Sequence, residues 1–74
     1  MLYRLYVNGL YMYCSDSVES TEEFIDMYFT LIEDMLYDQA RDTDVNRVLE
    51  KLTSGDYTTA VDTKLEITDV YVTI

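Results

Sequence analysis

Apolar and polar residues alternate from Leu2 to Val7. Tyr3, Leu5 and Val7 fall on one side of an extended chain, and Leu2, Arg4 and Tyr6 on the other. Asn8-Gly9 follows. A type I′ turn needs positive φ at both central positions, and these two residues supply it most readily. Leu10 to Cys14 therefore returns antiparallel. A two-residue turn pairs Val7 with Leu10, Leu5 with Met12 and Tyr3 with Cys14. This register predicts a core face of Tyr3, Leu5, Val7, Leu10, Met12 and Cys14. The opposite face carries Arg4, Tyr6, Tyr11 and Tyr13.

The period then changes. Ser15 to Glu19 is polar and reads as a loop. Ser20-Thr21-Glu22-Glu23 has the form of a capping box, with Ser20 as N-cap and Glu23 reaching back. Phe24, Ile25, Tyr28, Leu31, Ile32, Met35 and Leu36 recur at helical spacing, so a helix is expected to about Ala40. Its other side holds Glu19, Glu22, Glu23, Asp26, Glu33, Asp34 and Asp38, with no Lys or Arg before Arg41. Asp42-Thr43-Asp44 offers a second N-cap. Val45, Val48, Leu49 and Leu52 mark a short amphipathic helix, with Lys51 near its end and Gly55 as the C′ residue.

From Asp56 the chain is rich in β-branched residues. Its alternation slips: Leu65 and Ile67 are odd, whereas Val70, Val72 and Ile74 are even. Either one long strand with a bulge near Thr68-Asp69 or two strands turning at Asp62-Thr63 accounts for the slip. The expectation is a single α+β domain over residues 1–74. It has a small antiparallel sheet, two helices on one face and the order ββααβ, with a further β strand left open.

Charge changes the picture. The chain of 74 residues has 15 Asp and Glu against 5 Lys and Arg, a net charge of -10, yet 49% of it is hydrophobic. Such a composition describes a folded domain with a strong negative field rather than a disordered acidic tail. The field opposes direct binding of nucleic acid or an anionic membrane and favours basic protein surfaces. A domain of this size buries only roughly 60% of its unfolded surface, so a homodimer would reinforce a thin core. Cys14 is the single cysteine, which excludes an internal disulfide and fits a reducing, cytoplasmic setting. No stretch has the length and apolarity of a membrane span. The opening residues alternate rather than forming the apolar stretch of a signal peptide.

Catalytic chemistry finds little support. The chain has no histidine, the commonest general base and metal ligand. Cys14 and the serines lack an activating partner nearby in sequence, and Cys14 reads as a core residue. Carboxylates are plentiful, but acid/base chemistry needs two of them opposed across a cleft. Asp42-Thr43-Asp44-Val45-Asn46 opens like a calcium loop. The pattern then demands Gly and a bidentate Glu, and the chain has Arg47 and Thr53 there. No metal, cofactor or catalytic residue is expected.

Two candidate binding surfaces remain. One is the acidic helix face with Glu22, Glu23, Asp26, Glu33, Asp34 and Asp38. Like charges along a helix destabilise it by a few tenths of a kcal/mol per pair, a cost that solubility alone does not require. The other is the tyrosine face with Tyr6, Tyr11 and Tyr13, suited to a protein partner or a second copy of the chain. In size, charge and missing active site, the whole chain resembles small acidic phage-encoded inhibitors of host defence of the anti-CRISPR and anti-restriction type, several of which mimic DNA. The resemblance implies a bacterial cytoplasm and a large, basic nucleic-acid-binding target. The expected function is non-enzymatic occlusion of such a site. The alternative is a small adaptor acting through the tyrosine face.

Overall fold

A computed structural model describes residues 1–39 and 43–74, with side chains described for residues 1–33 and 45–74. The elements are β1 (Leu2–Val7), β2 (Leu10–Ser15), α1 (Thr21–Gln39), α2 (Thr43–Ser54), β3 (Thr58–Asp62) and β4 (Ile67–Val72). Local chemistry explains the first turn, the start of α1 and the end of α2. Asn8 and Gly9 have φ of 51° and 81°, the left-handed pair that the turn requires. The Glu23 amide donates to Ser20 Oγ at 3.1 Å, and the Glu19 amide donates to Glu23 Oε2 at 2.9 Å. The box thus closes one residue further back than the usual reciprocal pair. Gly55 (φ 77°) ends α2, and the Asp56 amide donates to the Lys51 carbonyl at 2.9 Å. That six-to-one bond is the Schellman cap.

The sheet is mixed, with strand order β2-β1-β4-β3. Two antiparallel hairpins, β1–β2 and β3–β4, join through a parallel β1–β4 pair at the centre. Parallel neighbours require a crossover, and α1 and α2 provide one between the hairpins. The expected all-antiparallel sheet is therefore corrected, while the α+β class and two helices stand. Alternation reveals strands and near turns but does not say which strands meet across a long connection. The C-terminal region is two strands. Asp62 Oδ1 accepts amides from Lys64 and Leu65 in the connecting turn. Leu65 lies in that turn and Ile67 on the face opposite Val70, so the slip in alternation arises without a bulge.

Both helices pack on the face formed by Tyr3, Leu5, Val7, Val70 and Val72. Phe24, Tyr28 and Ile32 of α1 and Val48 and Leu52 of α2 complete the core with Val18. Val18 sits in the stretch read as a polar loop. The core covers the two central strands and leaves the edges open: Leu10 is 69% and Met12 53% exposed.

Three expected core residues lie outside: Leu10 because, among the described residues, no helix-side residue of the core covers this end of the edge strand, and Met12 and Cys14 because of a bulge. The pairing runs Val7↔Leu10 and Tyr6↔Tyr11, then shifts to Leu5↔Tyr13, Arg4↔Cys14 and Tyr3↔Ser15. Met12 is the extra residue, and every later side chain in β2 changes face. Tyr13 turns inward and stacks on Phe24 (centroids 5.5 Å, interplanar 18°) and against Tyr28 (5.5 Å). Tyr3 stacks on Phe24 from the neighbouring strand (5.6 Å). Cys14 turns outward and is exposed. An apolar surface gained by Tyr13 replaces what Met12 and Cys14 were expected to contribute. Among the described residues no helix is long and apolar enough to cross a membrane.

Candidate functional site

Two surfaces are built by this fold, one on α1 and one on the helix-free side of the sheet. The α1 surface follows from the inward turn of Phe24, Tyr28 and Ile32, which leaves Glu22, Glu23, Asp26 and Glu33 exposed. Glu22, Asp26 and Glu33 are spaced four and seven residues apart and share one side of the helix. At 1.5 Å per residue they extend over roughly 16 Å of axis. Glu23 differs from them, because its carboxylate is engaged in the capping box. Asp34 and Asp38 lie within α1, but their side chains fall outside the described residues. The calcium-like stretch from Asp42 to Asp44 also falls there.

Two of the positive charges are held away from this surface. Arg4 pairs with Asp69 (Nε–Oδ1 2.6 Å, Nη2–Oδ2 2.8 Å), and Lys51 pairs with Asp56 (2.7 Å). Each of these cations is neutralised within the chain by an acid away from α1. The surplus behind the net charge of -10 therefore resides on other carboxylates, those of α1 among them.

The second surface centres on the Arg4–Asp69 pair. Tyr6 stacks on Tyr71 (5.3 Å, interplanar 22°) and meets Tyr11 edge-on (6.0 Å, 77°). The Arg4 guanidinium carbon lies 5.7 Å from the Tyr6 centroid, within cation–π range. The Tyr71 hydroxyl donates to Asp69 Oδ2 at 3.3 Å. Hydrogen bonding to Asp69 raises the Arg4 pKa against a smaller opposing effect of desolvation, so its charge is fixed. A hydrogen bond with the Cys14 thiol, then desolvation, raises Tyr11 above the ordinary tyrosine range. Desolvation first, and the Asp69 charge second, raise Tyr71. The Tyr11 and Tyr71 phenols therefore stay neutral at physiological pH and can donate hydrogen bonds.

Of the tyrosines expected on this face, Tyr6 and Tyr11 are there and Tyr13 is not. The bulge withdraws Tyr13 to the core, and Tyr71 joins instead. Asp69 and Tyr71 carried a legible signal, since they alternate with Val70 and Val72. What the alternation lacked was the strand beside them, which is β1. Among the described residues, no group of three acidic or cysteine side chains converges to hold a metal ion. No protein-family model, curated protein or solved structure matches the chain.

Proposed function

We propose that this protein is a non-enzymatic inhibitor whose acidic α1 surface occupies the basic nucleic-acid-binding site of a host defence protein. The observation that carries this reading is the disposition of charge. Glu22, Asp26 and Glu33 are exposed along one side of α1, while Arg4 and Lys51 are held by acids elsewhere. A surface of that kind attracts Lys and Arg arranged to grip phosphates, and it speeds their encounter at low salt. Inhibition is by occlusion, and the setting is the bacterial cytoplasm. The experiment is capture of partners from bacterial lysate at low and high salt, with duplex DNA as competitor. A nucleic-acid-binding protein that DNA displaces, and that E22Q/D26N/E33Q no longer captures, supports the reading. Capture unchanged by the triple variant overturns it. Glu23 is left intact so that the cap of α1 survives.

A second reading is favoured by a different observation. Tyr11 and Tyr71 are 55% and 39% exposed on the sheet face opposite the one that α1 and α2 cover. A small adaptor would use Tyr6, Tyr11 and Tyr71 to bind a protein partner or a second copy. Its contacts would persist at high salt and fail when Tyr11 and Tyr71 become Ser.

A further inference from the structure

We propose that the groove between α1 and the C-terminal end of α2 receives an arginine side chain from the partner's basic surface. The proposal rests on the acidic-surface reading above, which supplies a cationic partner, and names where its anchoring residue sits. The groove has a volume of about 570 Å³ and is lined by Glu22, Ile25, Asp26, Phe29, Leu52 and Tyr57. The four α1 residues lie at i, i+3, i+4 and i+7, so the helix itself puts two acids and two apolar side chains on one stripe.

The chemistry of this lining selects its occupant. Leu52 is buried, and Ile25, Phe29 and Tyr57 are half-buried, which leaves an apolar floor still open to a ligand. Glu22 and Asp26 are exposed beside that floor. Among the described residues neither carboxylate enters an ion pair. Their separation of one helical turn makes them a mutually repelling pair that a cation between them would relieve. A neutral apolar ligand would leave that repulsion in place. An anion would add to it. A long aliphatic stem ending in a cation satisfies both floor and edge. Arginine fits better than lysine, because its planar guanidinium packs on aromatic surface and donates to two carboxylates at once.

Nuclear magnetic resonance on the isotope-labelled full chain tests the assignment, with capped tri-arginine peptide as the probe. Tri-citrulline, which keeps the shape and lacks the charge, is the control. The expected result is saturable shifts concentrated at Ile25, Phe29, Leu52 and Tyr57 with tri-arginine and none with tri-citrulline. E22Q/D26N should weaken the tri-arginine affinity by roughly five- to tenfold, the sum of two solvent-accessible charge contacts. A variant neutralised at Asp16 and Glu66, exposed acids outside α1, should lose far less. Shifts spread evenly over all acidic residues, equal binding of tri-citrulline, or equal losses in the two variants would each overturn the assignment. DNA-displaceable capture that survives such a result leaves the proposed function standing without this groove. Groove binding without any such capture would overturn the function alone.

Discussion

Arg4 on β1 and Asp69 on β4 face each other across the parallel centre of the sheet and share two hydrogen bonds, at 2.6 and 2.8 Å. The side chains are 32% and 15% exposed, so water screens the pair only partly. Removing one partner strands the other beside tyrosine rings, whereas removing both lets the rings close over the gap. R4M alone is therefore expected to lower the urea midpoint more than R4M/D69V. A double variant less stable than either single one would show that the pair contributes by its own attraction rather than by mutual rescue.

The bulge at Met12 predicts an asymmetry among neighbouring residues. Tyr13 stacks on Phe24 and touches Tyr28, while Met12 and Tyr11 face water. A fully buried aromatic replaced by alanine costs about 3–5 kcal/mol. Tyr13 is only partly buried, so Y13A should cost roughly 2–3 kcal/mol. M12A and Y11A should leave the urea midpoint almost unchanged. The regular register would reverse the effects of M12A and Y13A, with Met12 inside and Tyr13 outside.

This bulge also marks where the sequence stops being informative. Asn8-Gly9, Ser20 with Glu23, and Gly55 were legible because each solves a backbone problem with its own side chain or its own φ. Phe24, Tyr28 and Ile32 of α1 and Tyr3, Leu5 and Val7 of β1 were legible because their period is local. Leu31, expected beside them, is exposed, and the side chains of Met35 and Leu36 lie outside the described residues. The Met12 insertion has no local signature. It brings Tyr13 onto Phe24 and Tyr28, which are distant in sequence. For the same reason Cys14 was assigned to the core and Tyr13 to the open face. The acids of α1 were readable individually, but not the pairing of Arg4 with Asp69. That pairing depends on β4 lying beside β1, a consequence of the helical crossover.

The open face should announce itself in alkali. Tyr11 and Tyr71 have pKa values raised above the ordinary phenol value of about 10, through Cys14 and desolvation for the first and through desolvation and Asp69 for the second. A raised value in the folded state means that the neutral phenol is favoured by folding. The resulting stabilisation is fully present below about pH 10 and is lost as pH rises through the folded values. Phenolate absorbance should show a late-titrating component that Y71F reduces. C14A should bring the Tyr11 step earlier, and an unchanged curve would remove the thiol from the account.

Ser20 offers a direct test of how α1 begins. Its Oγ accepts the Glu23 amide, and alanine would leave that donor without a protein partner. S20A should cost about 1 kcal/mol. E23Q should cost less, because the amide oxygen still accepts from the Glu19 backbone. If S20A is neutral, the acidic first turn holds α1 through charge and dipole alone.

Glu66 carries a different kind of cost. It sits in the turn before β4 with φ of 53°, a conformation that crowds its Cβ. The position is fixed from outside, since the Leu2 amide donates to the Glu66 carbonyl at 2.9 Å and ties the turn to the start of β1. Glycine adopts this φ without strain but has more freedom to lose on folding, so the two effects partly offset. E66G is expected to raise stability by up to about 1 kcal/mol, read from the urea midpoint. E66V should lower it, because a β-branched side chain tolerates positive φ least. Equal stability of the glycine and valine variants would mean that the turn relaxes once Glu66 is replaced, and that the bond to Leu2 does not hold it.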